Sequence, residues 1–418
     1  MQNAKPRIRD PRLDFFRGIG MFIIFIAHLP GNPWTLWIPA RFGFSDATEI
    51  FVFCSGMASA IAFGAVFDRH GWLVGAARVL YRAWQVYWSQ IIVFFVILAM
   101  LYAVDATGYF QTHYDRNFVG GLNLQHFLDR PGENLVGLLT LNYVPNYFDI
   151  LPMYIVILAM MPIVMALAKI RPAFAMAACV LTWLAVSQPW LVFLNVPVFQ
   201  GLNLPAEPWS DRTWFFNPFA WQLVFFTGFA FMRGWIPPPP VSRRLVVLAI
   251  AIVLITIPFA YFRLLNNFPD LRAIRSDLGP LTSKTFFGLF RYIHFLAIAY
   301  LAWIAAGAGG KNLPAAGWPG RVVETVKQVG QQSLAVFLVS LVIARLAGIW
   351  LITTDRGFLI VALINFTGFA ILIATARITG WYKSTPWKSK PAGQVSSRAS
   401  DDARQADIQG ALAAPDKR

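Results

Sequence analysis

Residues 12–28 read RLDFFRGIGMFIIFIAH, and this stretch decides the fold. Two cations, Arg12 and Arg17, lead into an apolar run that ends on His28. Ten residues separate Arg17 from His28. Along a helix the imidazole therefore lies roughly 16 Å beyond the guanidinium, about halfway through an apolar layer roughly 30 Å thick. An ionisable ring at that depth is costly, and polar groups so placed mark pathways or reaction centres. The basic lead-in of Lys5, Arg7, Arg9 and Arg12 gives the segment the look of a signal peptide. Pro30, Asn32, Pro33 and Trp34 follow it rather than a small-residue cleavage site, so it reads as a retained helix.

Working outward, the 418-residue chain is 57% hydrophobic, 16% aromatic and only 13% charged. A soluble domain carries about a quarter charged residues, which excludes an ordinary globule. The expectation is an all-α, polytopic integral membrane protein with about ten transmembrane helices, roughly at 13–30, 46–66, 85–104, 148–168, 173–194, 217–234, 245–262, 286–306, 331–352 and 358–376. Ten crossings put both ends on one side. The cations decide which side: Arg69, Arg78 and Arg82, Lys169 and Arg171, Arg233, Arg243 and Arg244, Lys311, Arg321 and Lys327, then Arg377, Lys383, Lys388 and Lys390 fall in alternate connections. Those connections and both termini are read as cytoplasmic. The opposite connections, notably 105–147, 195–216 and 263–285, are longer and suit an outward-facing entrance for a polar substrate.

The formal charge of +15 is spread over many short loops with no separate basic domain, so it points to anionic lipid headgroups of the bilayer rather than to nucleic acid. Cys54 and Cys179 both fall in expected spans, which argues against a disulfide framework or a thiolate metal site. Pro237 to Pro240 form a stiff connector, and from about Ser384 the chain turns polar and Ala-rich, as a disordered tail does. The expected organisation is a cytoplasmic segment 1–12, a membrane domain 13–380 and a disordered cytoplasmic tail 381–418.

Asp14 and Arg17 stand at the cytoplasmic end of the first helix. Asp14 reads as a cap or ion-pair partner, or with Arg17 as part of a site for a phosphate-bearing cofactor, since a guanidinium holds such groups in a bidentate way. His28 reads as a helix–helix hydrogen bond or as a general base, its ordinary pKa being near neutrality. The second span opens FSDATEIFVFCSG at 44–56, where Asp46 and Glu49, three apart, share a helix face. In an antiparallel pair with the first helix they approach His28, and one carboxylate would orient the imidazole, unless Asp46 is an ordinary N-cap. Ser55 and Gly56 suit close helix packing. Asp149, Trp221, Gln222, Arg291 and His294 are further polar intrusions that would line one shared cavity or serve only local packing. Trp34, Trp37, Trp209 and Trp214 fit an interfacial belt first and a sugar platform second.

Taken together, residues 12–28, residues 42–56, YFDILP at 147–152 and RYIHFLA at 291–297 resemble the OpgC family, a branch of the membrane acyltransferase superfamily, over about residues 7–380. The resemblance implies acyl transfer, succinyl in the best-known members, from a coenzyme A thioester (succinyl-CoA) to hydroxyls of osmoregulated periplasmic glucans, in the bacterial inner membrane and with no metal. It implies His28 as general base with Glu49 or Asp46 behind it. Arg17 and Asp14, helped by Arg78 and Arg82, would hold the donor at the cytoplasmic face. Asp149, Trp221, Gln222 and His294 would stand on the acceptor side, and glucan biosynthesis proteins are candidate partners. The rivals are a transporter or flippase for a polar or anionic solute, an O-acetyltransferase of another extracytoplasmic glycan, and a haem protein ligated by His28 and His294.

Overall fold

The computed structural model describes residues 10–186 and 202–387. Regular structure among them is helical, mostly α with short 3-10 turns and one π-helical turn, apart from an isolated antiparallel bridge between Pro205 and Thr213. The principal helices are α1 (Pro11–His28), α2 (Ala47–Ser59), α3 (Ala65–Asp105), α4 (Ile150–Ile170), α5 (Pro172–Val186), α6 (Pro218–Arg233), α7 (Arg243–Thr256), α8 (Leu289–Ala306), α9 (Gly317–Gln331), α10 (Ser333–Ile352) and α11 (Phe358–Lys383). The chain divides into two compact units, Met1–Ala376 and Arg377–Arg418. In the second, residues 377–387 are described, and there Trp381, Tyr382 and Trp387 cluster edge to face with centroids 5.0–6.1 Å apart. The expected segment 1–12 lies outside the described residues up to residue 9, the expected span 173–194 lies outside them beyond residue 186, and the expected tail lies outside them from residue 388.

Among the described residues five helical segments are long and apolar enough to cross a membrane: Ala47–Asp105, Ile150–Ile170, Leu289–Ala306, Ser333–Ile352 and Phe358–Lys383. Each of the ten apolar runs read from the sequence has a helix, but not each helix has spanning length. α6 has 16 residues and α7 has 14, the latter ending in a 3-10 turn at Ile257–Phe259. α1 has 18 residues but carries Arg12, Asp14 and Arg17. The second and third runs also differ from expectation. Helix continues from α2 through a π-helical turn at Ala60–Gly64 as far as a break at Gly71 (φ 80°, ψ 176°), where only a residue without Cβ is unstrained, and a second helix follows directly. Arg78 and Arg82 therefore sit on α3 itself rather than in a loop.

Close approach at glycine organises the first unit. α2 crosses α6 where Gly56 lies on the Phe225 carbonyl and Gly228 on the Phe53 carbonyl, so a Cβ at either would strike backbone. α1 crosses α9 in the same way, with Gly18 against the Val326 carbonyl and Gly330 against that of Asp14. α1 and α2 run antiparallel: Leu13 clusters with Cys54 and Met57, while Gly20 faces Ala47 and Ile50. α1 and α10 run parallel, since Arg17 bonds Ser333 and Pro30 packs on Gly348.

Replacing Gly228 by Val would push α2 and α6 apart, at a cost of about 1–3 kcal/mol. The expected outcome is a lower thermal midpoint of the detergent-solubilised protein. Gly132→Ala, at a position where a Cβ meets nothing within 4 Å, is expected to leave it unchanged.

Candidate functional site

α1 ends at His28, whose ring turns back onto its own helix: Nδ1 lies 2.8 Å from the Ile24 carbonyl oxygen. A carbonyl only accepts, so Nδ1 carries the proton and the neutral ring keeps its lone pair on Nε2. Tyr147 meets the imidazole edge to face at 5.2 Å between centroids. The tyrosine hydroxyl donates to the Leu341 carbonyl at 2.8 Å, and the Arg345 guanidinium stacks 3.8 Å from its ring centre. Tyr147 has φ 87°, a conformation that a bulky residue keeps only where its surroundings enforce it.

α2 starts in a capping box. Asp46 accepts from the Thr48 N–H at 2.7 Å, and Glu49 accepts from the Asp46 N–H at 2.7 Å. Each acid then takes a cation from the segment before and within α8: Lys284 donates to Asp46 at 2.5 Å and Arg291 to Glu49 at 2.7 Å. Lys284 is itself fixed through its carbonyl, which accepts from the Trp221 indole at 2.8 Å, and the next carbonyl, of Thr285, accepts from the Asn217 N–H at 3.2 Å.

These groups surround a cavity of about 800 Å³ whose polar wall includes His28, Asp46, Tyr147, Asp149, Arg212 and Lys284. Ile24, Phe51, Phe216 and Phe337 supply apolar wall. The 204–216 segment closes one side. Arg212 pins it, donating to Glu207 at 2.9 Å, to the Val144 carbonyl at 2.7 Å and to Asn146 at 3.1 Å. Asp149 accepts from the Phe215 N–H at 3.4 Å. The volume and the mix of aromatic faces with a few hydrogen-bonding groups suit a small polar ligand.

His28, Asp46 and Asp149 are thus brought to one cavity. Glu49 is fully buried behind Asp46, and Trp221 supports Lys284 from outside the wall. Gln222 donates to the Cys179 carbonyl at 2.7 Å, away from the cavity. His294 braces the start of α2: its Nδ1 accepts from the Ser45 N–H at 3.2 Å and lies 2.8 Å from the Ser45 hydroxyl, while the ring lies against Gly43. Arg17 donates to Ser333 Oγ and Asp14 accepts from Gln331 at 3.2 Å; the cap of α1 is Asp10, whose side chain accepts from the Arg12 N–H. On α3, Arg82 donates to Gln85 at 3.1 Å and Arg78 lies 5.9 Å from the Tyr81 ring centre. None of Asp14, Arg17, Arg78 and Arg82 lines the cavity.

Three cations escaped the sequence reading. Lys284 and Arg212 look like loop charges. Arg345, the lone charged residue in α10, did carry a signal, an intrahelical cation amid apolar neighbours. Among the described residues no group of three or more His, Cys, Asp or Glu side chains is placed to hold a metal ion.

Fold and site together define an apolar, all-helical membrane protein with an imidazole at the edge of a polar cavity. The family model described as OpgC protein matches residues 9–384, and the chain belongs to the OpgC family. Membership implies a membrane acyltransferase acting on glucans. No curated protein and no solved structure matches the chain.

Breaking the Glu49–Arg291 pair strands a buried charge, so Glu49→Gln or Arg291→Met is expected to cost about 3–5 kcal/mol each. The double variant should recover much of that loss in a thermal unfolding series. Additive losses would show that the pair is not the unit of stabilisation.

Proposed function

We propose that this protein is a membrane O-acyltransferase that moves a succinyl group from a cytoplasmic acyl-CoA to hydroxyls of periplasmic glucans, with His28 as general base. In this reading about ten helices span the bacterial inner membrane and both termini are cytoplasmic. The membrane domain is 13–380, flanked by the cytoplasmic segments 1–12 and 381–418.

The observation that carries it is the Nδ1–H donated to Ile24, which leaves Nε2 as the acceptor on a residue lining a polar cavity. A glucan hydroxyl gives its proton to Nε2 as its oxygen bonds to the acyl carbonyl carbon. The carbon–sulfur bond then breaks, and the thiolate recovers the proton from the imidazolium. The products are the ester and free thiol. Asp46 brings negative charge to the same cavity wall to stabilise the imidazolium, and Glu49 holds Asp46 in place from behind. Arg17 and Asp14, at the opposite end of α1, hold the donor's anionic part with help from Arg78 and Arg82. Asp149 accepts from a sugar hydroxyl, while Trp221, Gln222 and His294 keep the acceptor side in shape.

Mass spectrometry of periplasmic glucans tests this in cells with the intact chain, no chain or the His28→Ala chain. A succinyl-sized increment is expected with the intact chain alone. An acetyl-sized increment keeps the mechanism and changes the donor, and identical glucans in all three overturn the reading. Arg17→Ala is expected to weaken donor binding, read as a raised KM for the acyl-CoA in membrane vesicles.

A further inference from the structure

Arg345 is the single charged residue in the twenty-residue α10. Three other cations at the site are neutralised: Lys284 by Asp46 at 2.5 Å, Arg212 by Glu207 at 2.9 Å and Arg291 by Glu49 at 2.7 Å. Among the described residues no carboxylate forms an ion pair with Arg345, and its Nε is sealed in protein without an acceptor. Its visible partner is the face of Tyr147, 3.8 Å from the guanidinium carbon. A cation held in an apolar helix with a neutral tyrosine as its partner, and no carboxylate, is costly until an anion joins it.

Its place in the fold says which anion. α1 and α10 run parallel, with Arg17 and Ser333 at one end. Twelve residues on from Ser333, about 18 Å along the axis, Arg345 has reached the level of His28 rather than that of Arg17. Phe337 and Tyr147 line the cavity, and Arg345 stands directly behind that wall, two turns on from Phe337 and stacked on the Tyr147 ring. The two stacking distances, 5.2 and 3.8 Å, bound the separation of the guanidinium carbon from the imidazole centroid at 9.0 Å. The unmatched positive charge therefore stands beside the reacting end of the donor and far from its nucleotide.

We infer that Arg345 is a specificity-determining residue that receives the free carboxylate of a dicarboxylic acyl group while the thioester carbonyl reacts beside His28. A two-methylene chain spans a gap of this size, and a guanidinium grips a carboxylate through two parallel hydrogen bonds. The inference rests on the acyltransferase reading and names what selects the acyl group.

The test compares succinyl-CoA with the uncharged butyryl-CoA as donors to purified periplasmic glucan, in vesicles holding the full chain, Arg345→Met or Arg345→Lys. The expected result is a fall of roughly 10–100-fold in the succinyl-to-butyryl ratio for Arg345→Met, whether through lost succinyl transfer or gained butyryl transfer. Arg345→Lys, which keeps the charge but not the fork, is expected to fall between the two, and carries the test alone if the methionine variant does not accumulate. Parallel losses with both donors, or lost succinyl transfer with no butyryl transfer, assign Arg345 to holding Tyr147 and overturn the inference; so does an unchanged ratio. A wild-type chain inert toward both donors overturns the acyltransferase reading itself, and this inference with it.

Discussion

Two carboxylates and two cations are withdrawn from water together at the start of α2, and the rest of the site hangs on their cancelling. Asp46 and Glu49 cap the helix and each other, Lys284 and Arg291 neutralise them, and the partners come from segments 238 and 242 residues apart. A single unmatched charge here would favour water entry or helix fraying. With both pairs made, α2 begins at a fixed height, α8 is drawn against it, and a lysine ammonium is presented at the cavity wall. His294, bonded to Ser45, secures the same corner from the other side. The aromatic and aliphatic packing of α6 behind this corner, with Trp221 and Phe225 fully buried, supplies apolar burial, but the polar frame decides where the packed helices stop.

Close backbone crossings do the complementary work. Gly56 with Gly228, and Gly18 with Gly330, let two helix pairs meet carbonyl to Cα without side chains between them. In an apolar solvent, where the hydrophobic effect gives little reason for helices to associate, such contact is a principal source of cohesion. The Gly18–Gly330 crossing also fixes α1 against α9, and Gly20 sets it against Ala47 and Ile50 of α2, so the residue that ends α1 emerges at a defined place.

Much of this was legible in the residues. The apolar runs located every principal helix of the first unit except α9, whose charged and polar residues read as a connection. Asp46 and Glu49 were legible as a same-face pair, and Gly56 as a packing position. The reading failed where meaning lies in tertiary distance. Nothing local in SKTFFG marks Lys284 as the mate of Asp46, and His294 resembles a cavity ligand until Ser45 and Gly43 are seen against it. Run length misled in two places. Apolar composition does not reveal that α6 and α7 are only 16 and 14 residues long, nor that Gly71 replaces a loop with a kink. A carboxylate was expected to orient His28, whereas the ring bonds to a backbone carbonyl of its own helix, a partner present in every sequence and therefore invisible in any.

That last bond reaches beyond the ring. Because Ile24 and His28 belong to one turn, the proton's address on the imidazole is written by secondary structure alone and needs no neighbour to enforce it. Other walls of the cavity, above all the 204–216 segment pinned by Arg212, belong to a different part of the chain. The imidazole's tautomer and the shape of that wall are therefore set by separable parts, and the wall can be rebuilt while His28 keeps its proton on Nδ1.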